Sequence, residues 1–294
     1  DHRDLHSFPT RRSSDLSAAV SPAHALAQSR EETQWIVTTA RGTGARGQTY
    51  YSTVHLFNPH TVDVSATWTF LPQSALDPYG RALGENVNAP STTVVVPAGK
   101  AIDLTSLWPS SGAGAAGAVR IVSIQPETQP EPLSVTAHSV TSVYAPAAGR
   151  VVAGPFIPGQ GEASLLRAGE IGRIRSLLTG YSETASYRSN VVLLSTDPVE
   201  ETELTLTLFD HSGESRGSRS ITLGRLAQTQ VNDVADVFDY VLCLHGCPSA
   251  SPFPEAFEIE VRVLSGGPVA AAGIVLENET GSTTFVPALR TAAP

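Results

Sequence analysis

Val64-Ser-Ala-Thr-Trp-Thr-Phe-Leu71 decides the fold. Val64, Ala66, Trp68 and Phe70 recur at every second residue and share one face of an extended chain, while Ser65, Thr67 and Thr69 share the other. That is the signature of a half-buried strand in a two-layer sheet packing, because side chains alternate across a pleated strand. Outward from it, apolar and β-branched runs separated by Gly, Pro, Asn, Asp and Ser clusters continue almost throughout the chain. In the first half they predict strands over 34–40, 50–57, 64–71, 92–96, 100–104, 118–123, 133–144 and 151–157. Helical signals are confined to 104–108 and 232–241, a turn or two each, the latter with Asn232 or Asp233 as N-cap.

The deciding stretch is also half of an internal repeat. Thr67-Trp-Thr-Phe-Leu matches Thr205-Leu-Thr-Leu-Phe at an offset of 138, and Tyr51-Ser-Thr-Val-His-Leu-Phe-Asn-Pro matches Arg188-Ser-Asn-Val-Val-Leu-Leu-Ser-Thr at 137. Val94-Val-Val-Pro pairs with Ile221-Thr-Leu-Gly, and Ile102-Asp-Leu with Thr229-Gln-Val, both at 127. Arg120-Ile-Val-Ser then aligns with Arg262-Val-Leu-Ser at 142, Pro132-Leu-Ser-Val with Pro268-Val-Ala-Ala at 136, and Phe156-Ile-Pro with Phe285-Val-Pro at 129. Each change of offset marks an insertion, around 72–90 in the first copy and around 242–256 in the second. Two copies of seven or eight short antiparallel strands predict an all-β fold: two tandem immunoglobulin-like β-sandwich domains with short helical turns, with a β-barrel per copy as the alternative. Their bounds are 34–158 and 163–288, with a linker over 159–162 and a C-terminal tail over 289–294. The Cys-Trp-Cys signature of antibody domains is missing, so the likeness is one of architecture.

Several motifs of this repeat carry a further likeness: the strand at 51–59, the alternating strand at 67–71, the Val-Pro-Ala-Gly-Lys turn at 96–100, the Gly-Gly-Pro-Val entry at 266–269 and the closing Phe-(Ile/Val)-Pro at 156–158 and 285–287. Together they resemble tandem β-sandwich repeats of uncharacterised proteins secreted by soil and marine bacteria. The resemblance covers nearly everything after Trp35 and implies a secreted sandwich without implying an activity.

The N-terminal segment reads differently. The 294 residues include no methionine, and residues 1–16, DHRDLHSFPTRRSSDL, resemble the conceptual translation of a short-read sequencing adapter. They are therefore set aside as an adapter-derived artefact. Their three Asp and three Arg cancel, so the net charge of −9 belongs to the rest. Residues 17–33 read as the remnant of a signal peptide and a linker, with Ala25-Leu26-Ala27 fitting a small-x-small cleavage pattern. This predicts an extracytoplasmic protein: secreted, periplasmic or at the cell surface.

Composition narrows the function further. With 16% charged residues, one lysine (Lys100), eighteen arginines in no basic run and an acidic balance, nucleic acid is not an expected partner. No apolar run is long enough for a membrane-spanning helix. Gly42-Thr-Gly-Ala-Arg-Gly47 and Gly112-Ala-Gly-Ala-Ala-Gly117 spell G-x-G-x-x-G, but each leads into a predicted strand, whereas dinucleotide binding needs a helix N-terminus there. Gly213-Glu-Ser215-Arg-Gly217 spells a nucleophile elbow, yet it joins two predicted strands, leaving Ser215 with His211 as a weak hydrolase candidate.

Cys243-Leu-His245-Gly-Cys247 lies in the insertion of the second copy, where Cys243 and Cys247 are the disulfide candidate; a metal site on the same residues lacks a fourth ligand. Asp233, Asp236 and Asp239 read as the wet face of a short helix, since the glycine turn and last glutamate of an EF-hand are missing. The sequon Asn278-Glu-Thr280 falls in a hairpin turn, and Trp35, Trp68 and Trp108 read as core.

No catalytic, metal or cofactor-binding residue is assigned and no cofactor is expected. The sequence points to a non-enzymatic structural, spacer or adhesion module whose partner is a protein or glycan at the cell surface. A carbohydrate-binding or accessory domain of a larger secreted enzyme is the alternative, and a serine hydrolase a weaker one. An exposed row of aromatics on one sheet would favour the glycan reading.

Overall fold

The computed structural model describes residues 29–44, 47–104, 115–126, 134–145, 149–181, 186–238 and 255–291. The fold is all-β and sandwich-like, built on two hydrogen-bonded sheets. The first contains β1 (Ser29–Thr43), β2 (Thr49–Phe57), β3 (Val64–Pro72), β5 (Ser91–Val96), β6 (Ala101–Asp103), β7 (Ala115–Pro126), β8 (Thr136–Ala145), β9 (Arg150–Pro158) and β10 (Gln160–Gly161). The second contains β4 (Arg81–Ala82), β11 (Ile171–Tyr181), β12 (Ser186–Ser195), β13 (Thr202–Phe209), β14 (Ser215–Leu223), β15 (Gln228–Val231), β16 (Glu255–Ser265), β17 (Val269–Glu277), β18 (Thr283–Pro287) and β19 (Leu289–Arg290). A single helical turn, α1 (Val234–Val237), follows β15. Asp233 holds its N-cap position in the left-handed region, with no capping hydrogen bond from its side chain.

Each sheet turns a corner. β1 pairs with β7 along most of its length and with β2 only at its last three residues; β11 does the same with β16 and, at Gly180 and Tyr181, with β12. The two strand orders correspond member by member: β5-β3-β7-β1-β2-β8-β9 is matched by β14-β13-β16-β11-β12-β17-β18. β6 on β2 is matched by β15 on β12, and β10 on β1 by β19 on β11. The bulge between Ile36 and Thr39 also recurs between Ile174 and Leu177, whereas the one at Val140 and Ser142 in the β8–β9 pair has no counterpart in the β17–β18 pair.

Register corrects two of the sequence offsets. Val119 faces Ile36 and Ile259 faces Ile174, so Arg120 corresponds to Glu260 and not to Arg262. Thr136 and Ala270 occupy matching places opposite Phe57 and Leu194, two residues from the alignment read in the sequence. A slip of two keeps every side chain on its proper face, so alternation cannot expose it. Element bounds differ too: β1 starts at Ser29, ahead of 34, β10 lies inside the segment read as a linker, and β19 lies in the segment read as a tail.

Alternating burial assigns the faces. Val191, Leu193, Val269 and Ala271 point into a core with Leu204, Leu206, Ile259 and Val261. Their neighbours Val192, Leu194, Ala270 and Ala272 point the other way, into a second core that also holds Trp35, Trp68, Leu71 and Ala118 of the first half. β12 and β17 are thus buried on both faces, and β1, β7 and β9 of the first half lie against β12 and β17, β15 and β18. Trp35 and Trp68 are core residues, as read from the sequence; Trp108 lies outside the described residues.

The insertion of the first copy makes the remaining junction. Gln73 bridges Gln228, β4 adds a parallel pair to β14, Asn86 donates to the Leu226 carbonyl at 2.9 Å, and Glu85 pairs with Arg225. Gly80 is required in this segment, since its φ is +79° and a Cβ there would lie 2.4 Å from the Ser220 carbonyl oxygen.

Candidate functional site

The outer face of β6-β2-β8-β9 gathers the chemistry. On β2, alternation sends Val54 and Leu56 inward and Tyr51, His55 and Phe57 outward. Cross-strand register then places Asp103 on β6 and His138 on β8 on either side of His55. Asp103 Oδ1 lies 2.6 Å from His55 Nδ1, the His55 and His138 rings stack with centroids 4.9 Å apart, and His138 meets Phe156 of β9 at 4.8 Å. A carboxylate, two imidazoles and a phenyl ring therefore cross four strands in one line.

Around that line aromatic surface lies open to solvent. Tyr51 is 51% exposed, Phe57 41%, Tyr144 44% and Phe156 58%. Arg41 sits over the Tyr51 ring, 5.4 Å from its centroid. A sheet face kept only for solubility has no use for four exposed aromatic rings, and clustered apolar exposure marks interaction sites. The His138 imidazole is held below its ordinary value chiefly by partial burial and next by its stacked neighbour His55, while Asp103 acts in the opposite direction. Near neutral pH His138 therefore offers an uncharged ring for stacking. Among the described residues no three His, Cys, Asp or Glu side chains converge as metal ligands.

A second concavity, a cleft of about 600 Å³, lies where the two halves meet. Its lining runs from Thr38–Gly44 and Tyr50 to Arg188, Asn190, Ile274 and Leu276. Burial raises the Tyr50 hydroxyl pKa against the opposing pull of Arg188. Its described lining includes two arginines, Arg41 and Arg188, and no Ser, Cys or His.

The sequence motifs divide accordingly. Ser215 opens β14 after a hairpin turn organised by Asp210, whose Oδ1 accepts from the Ser212 hydroxyl and from the Ser212 and Glu214 amides. Arg216 Nε donates to the other carboxylate oxygen at 2.7 Å. The motif is strand–turn–strand, without the helix a nucleophile elbow requires. Among the described residues no hydrogen bond joins Ser215 to His211.

Gly42 is the last residue but one of β1 and Gly47 precedes β2; Gly117 lies within β7, where a Cβ would meet the Leu71 carbonyl oxygen at 2.2 Å. The last glycine of each string thus stands before or within a strand, while Gly112 and Gly114 lie outside the described residues. Cys243, His245 and Cys247, like Asp239, lie outside the described residues. Asn278 of the sequon donates to Ser186 Oγ at 3.0 Å, in the turn between β17 and β18.

Register, missing from any one-dimensional reading, is what assembles the aromatic face. Phe57 and Phe156 are visible in the sequence as strand residues, but nothing in it places them on one surface with His55 and His138. No family model matches the chain, and no curated protein is similar to it.

Proposed function

We propose that the chain is a non-catalytic, extracytoplasmic binding module of bacterial origin, in which two immunoglobulin-like sandwiches act as a rigid body presenting the outer face of β6-β2-β8-β9 to a partner. The observation that carries this is the exposed ring set of Tyr51, Phe57, Tyr144 and Phe156 around the stacked His55–His138 pair. Support for the immunoglobulin-like assignment is the repeated strand order, and support for the compartment is the Ala25-Leu26-Ala27 pattern. Scaffolds of this kind place recognition on exposed sheet faces and loops.

The same rings favour a second reading, a glycan-binding module, because aromatic faces stack on sugar rings while His55, Asp103 and Arg41 supply polar contacts. Immobilised chain is challenged with a glycan array and with a panel of soluble surface proteins, including the chain itself. Retention that Tyr51→Ala and Phe156→Ala abolish at unchanged melting temperature supports the module. Retention indifferent to both substitutions, or none on any probe, refutes it. Turnover of ester substrates lost in Ser215→Ala would restore the hydrolase.

A further inference from the structure

The two outermost sheet faces of the molecule are chemically unlike, and the repeat explains what that difference means. Within the chain, the outer side of β1, β3 and β7 in the first half covers the outer face of β12 and β17 in the second, through Trp35, Val37, Leu71 and Ala118. Positions matching those in the second half are Arg173, Arg175, Phe209 and Glu258. There Arg173 bonds Glu258 at 2.8 Å and Glu260 at 3.1 Å, Arg175 bonds Glu258 at 3.0 Å, and Arg262 bonds Glu260 at 3.2 Å. An ion-paired face in place of an apolar one is how a repeat stack ends in water.

The opposite end has no such cap. His55, Phe57, His138 and Phe156 match Val192, Leu194, Ala272 and Phe285, which belong to or pack against the core shared by the halves. The exposed aromatic face is therefore the positional twin of a buried inter-sandwich interface.

We propose that this face is a self-association surface on which two copies of the chain pack back to back about a two-fold axis. It rests on the reading of the face as a binding surface and names the partner. A head-to-tail partner would need a free face of the Trp35 type, and this chain's own is already covered by its second half. Only an isologous contact closes, and it leaves the Arg–Glu cap at both outer ends. β2, β8 and β9, nine or ten residues each and about 4.8 Å apart, together with the three residues of β6 span about 500 Å² per copy, in the range of weak and transient interfaces. Association is accordingly weak, with a micromolar dissociation constant.

Sedimentation velocity of the full chain from about 1 to about 200 μM tests this. The expected result is a reversible monomer–dimer equilibrium ending at twice the chain mass of 30.9 kDa. Phe57→Glu and Phe156→Glu each weaken it by about tenfold or more, at unchanged circular dichroism, while Val199→Glu on an exposed loop does not. A monomer at every concentration, a larger open assembly, or a dimer indifferent to both phenylalanine substitutions overturns the proposal. A monomer that binds glycans through Tyr51 and Phe156 overturns self-association and keeps the surface; a monomer that binds nothing removes both.

Discussion

Leu194→Ala tests whether the two halves form one body. Leu194 is fully buried and points away from the core that holds Leu193, Leu204 and Ile259, into the one it shares with Trp35 and Trp68. Truncating a fully buried leucine removes transfer free energy and leaves a cavity, costing about 3–4 kcal/mol. On a chain of this size that lowers the melting temperature by roughly 6–15 °C. Phe57, its counterpart in the first half, stands on the open face, so Phe57→Ala costs less than about 1 kcal/mol. Differential scanning calorimetry of the wild type should give a single endotherm, which Leu194→Ala shifts as a whole. Leu193→Ala, pointing into the other core, should shift it comparably. Two endotherms, with Leu194→Ala moving only one of them or costing no more than Phe57→Ala, would show that the halves do not share this core in solution.

Other consequences are as direct. Gly117→Ala forces a Cβ to within 2.2 Å of the Leu71 carbonyl oxygen, so about 3 kcal/mol should be lost in a urea titration. Asp210 is held well below the usual carboxylate range by the Ser212 hydroxyl, Arg216 and two backbone amides. Its folded pKa is depressed, so its contribution is present above the unfolded value near 3.9 and disappears as pH falls toward the folded one. Urea midpoints of Asp210→Asn should therefore lie below wild type at pH 7 and converge with it in strong acid. His138 is likewise depressed, so stability is full above about pH 6.5 and declines as pH falls from there toward its folded pKa; His138→Gln should flatten that part of the profile. Ser215→Ala, on an exposed hairpin turn, should leave the melting temperature within about 1 °C.

What the sequence made legible follows from what alternation can and cannot encode. Trp68 on the inner face, the matched strands at 64–71 and 202–209, and the matching positions of Phe156 and Phe285 are readable because period two and turn residues are local properties. The shared arginine draws Arg120 onto Arg262, two residues beyond its structural match at Glu260, and such a slip costs nothing in pattern. The candidate face was illegible for a related reason. Whether the outward residues of a strand meet water or another sheet depends on what packs there, and the outward residues of β2 and β12 share the same alternation. Leu194 is buried where Phe57 is open, although both read as apolar strand residues.

The 72–90 insertion shows how a sequence can locate a feature without stating its work. Offset arithmetic finds extra residues there and says nothing of what they touch. In the structure they reach across to the second half: Ser74 accepts from Thr229 Oγ1 at 2.8 Å, Gly80 accepts from the Thr222 amide, and β4 lies against β14. Without β4, β14 would be the edge strand of its sheet, and an open edge is a template for unwanted pairing. Its counterpart β5 carries Ser91-Thr-Thr-Val-Val-Val96, uncharged and β-branched, with no strand on its far side among the described residues. The insertion thus joins the halves and closes one of two equivalent edges. Deleting 75–88 should lower the melting temperature through the lost Leu76 and Val87 packing and also raise light scattering on prolonged incubation, as β14 becomes as open as β5. A deletion that lowers the melting temperature without added scattering would confine the insertion to a joint, and an unchanged melting temperature would remove even that role.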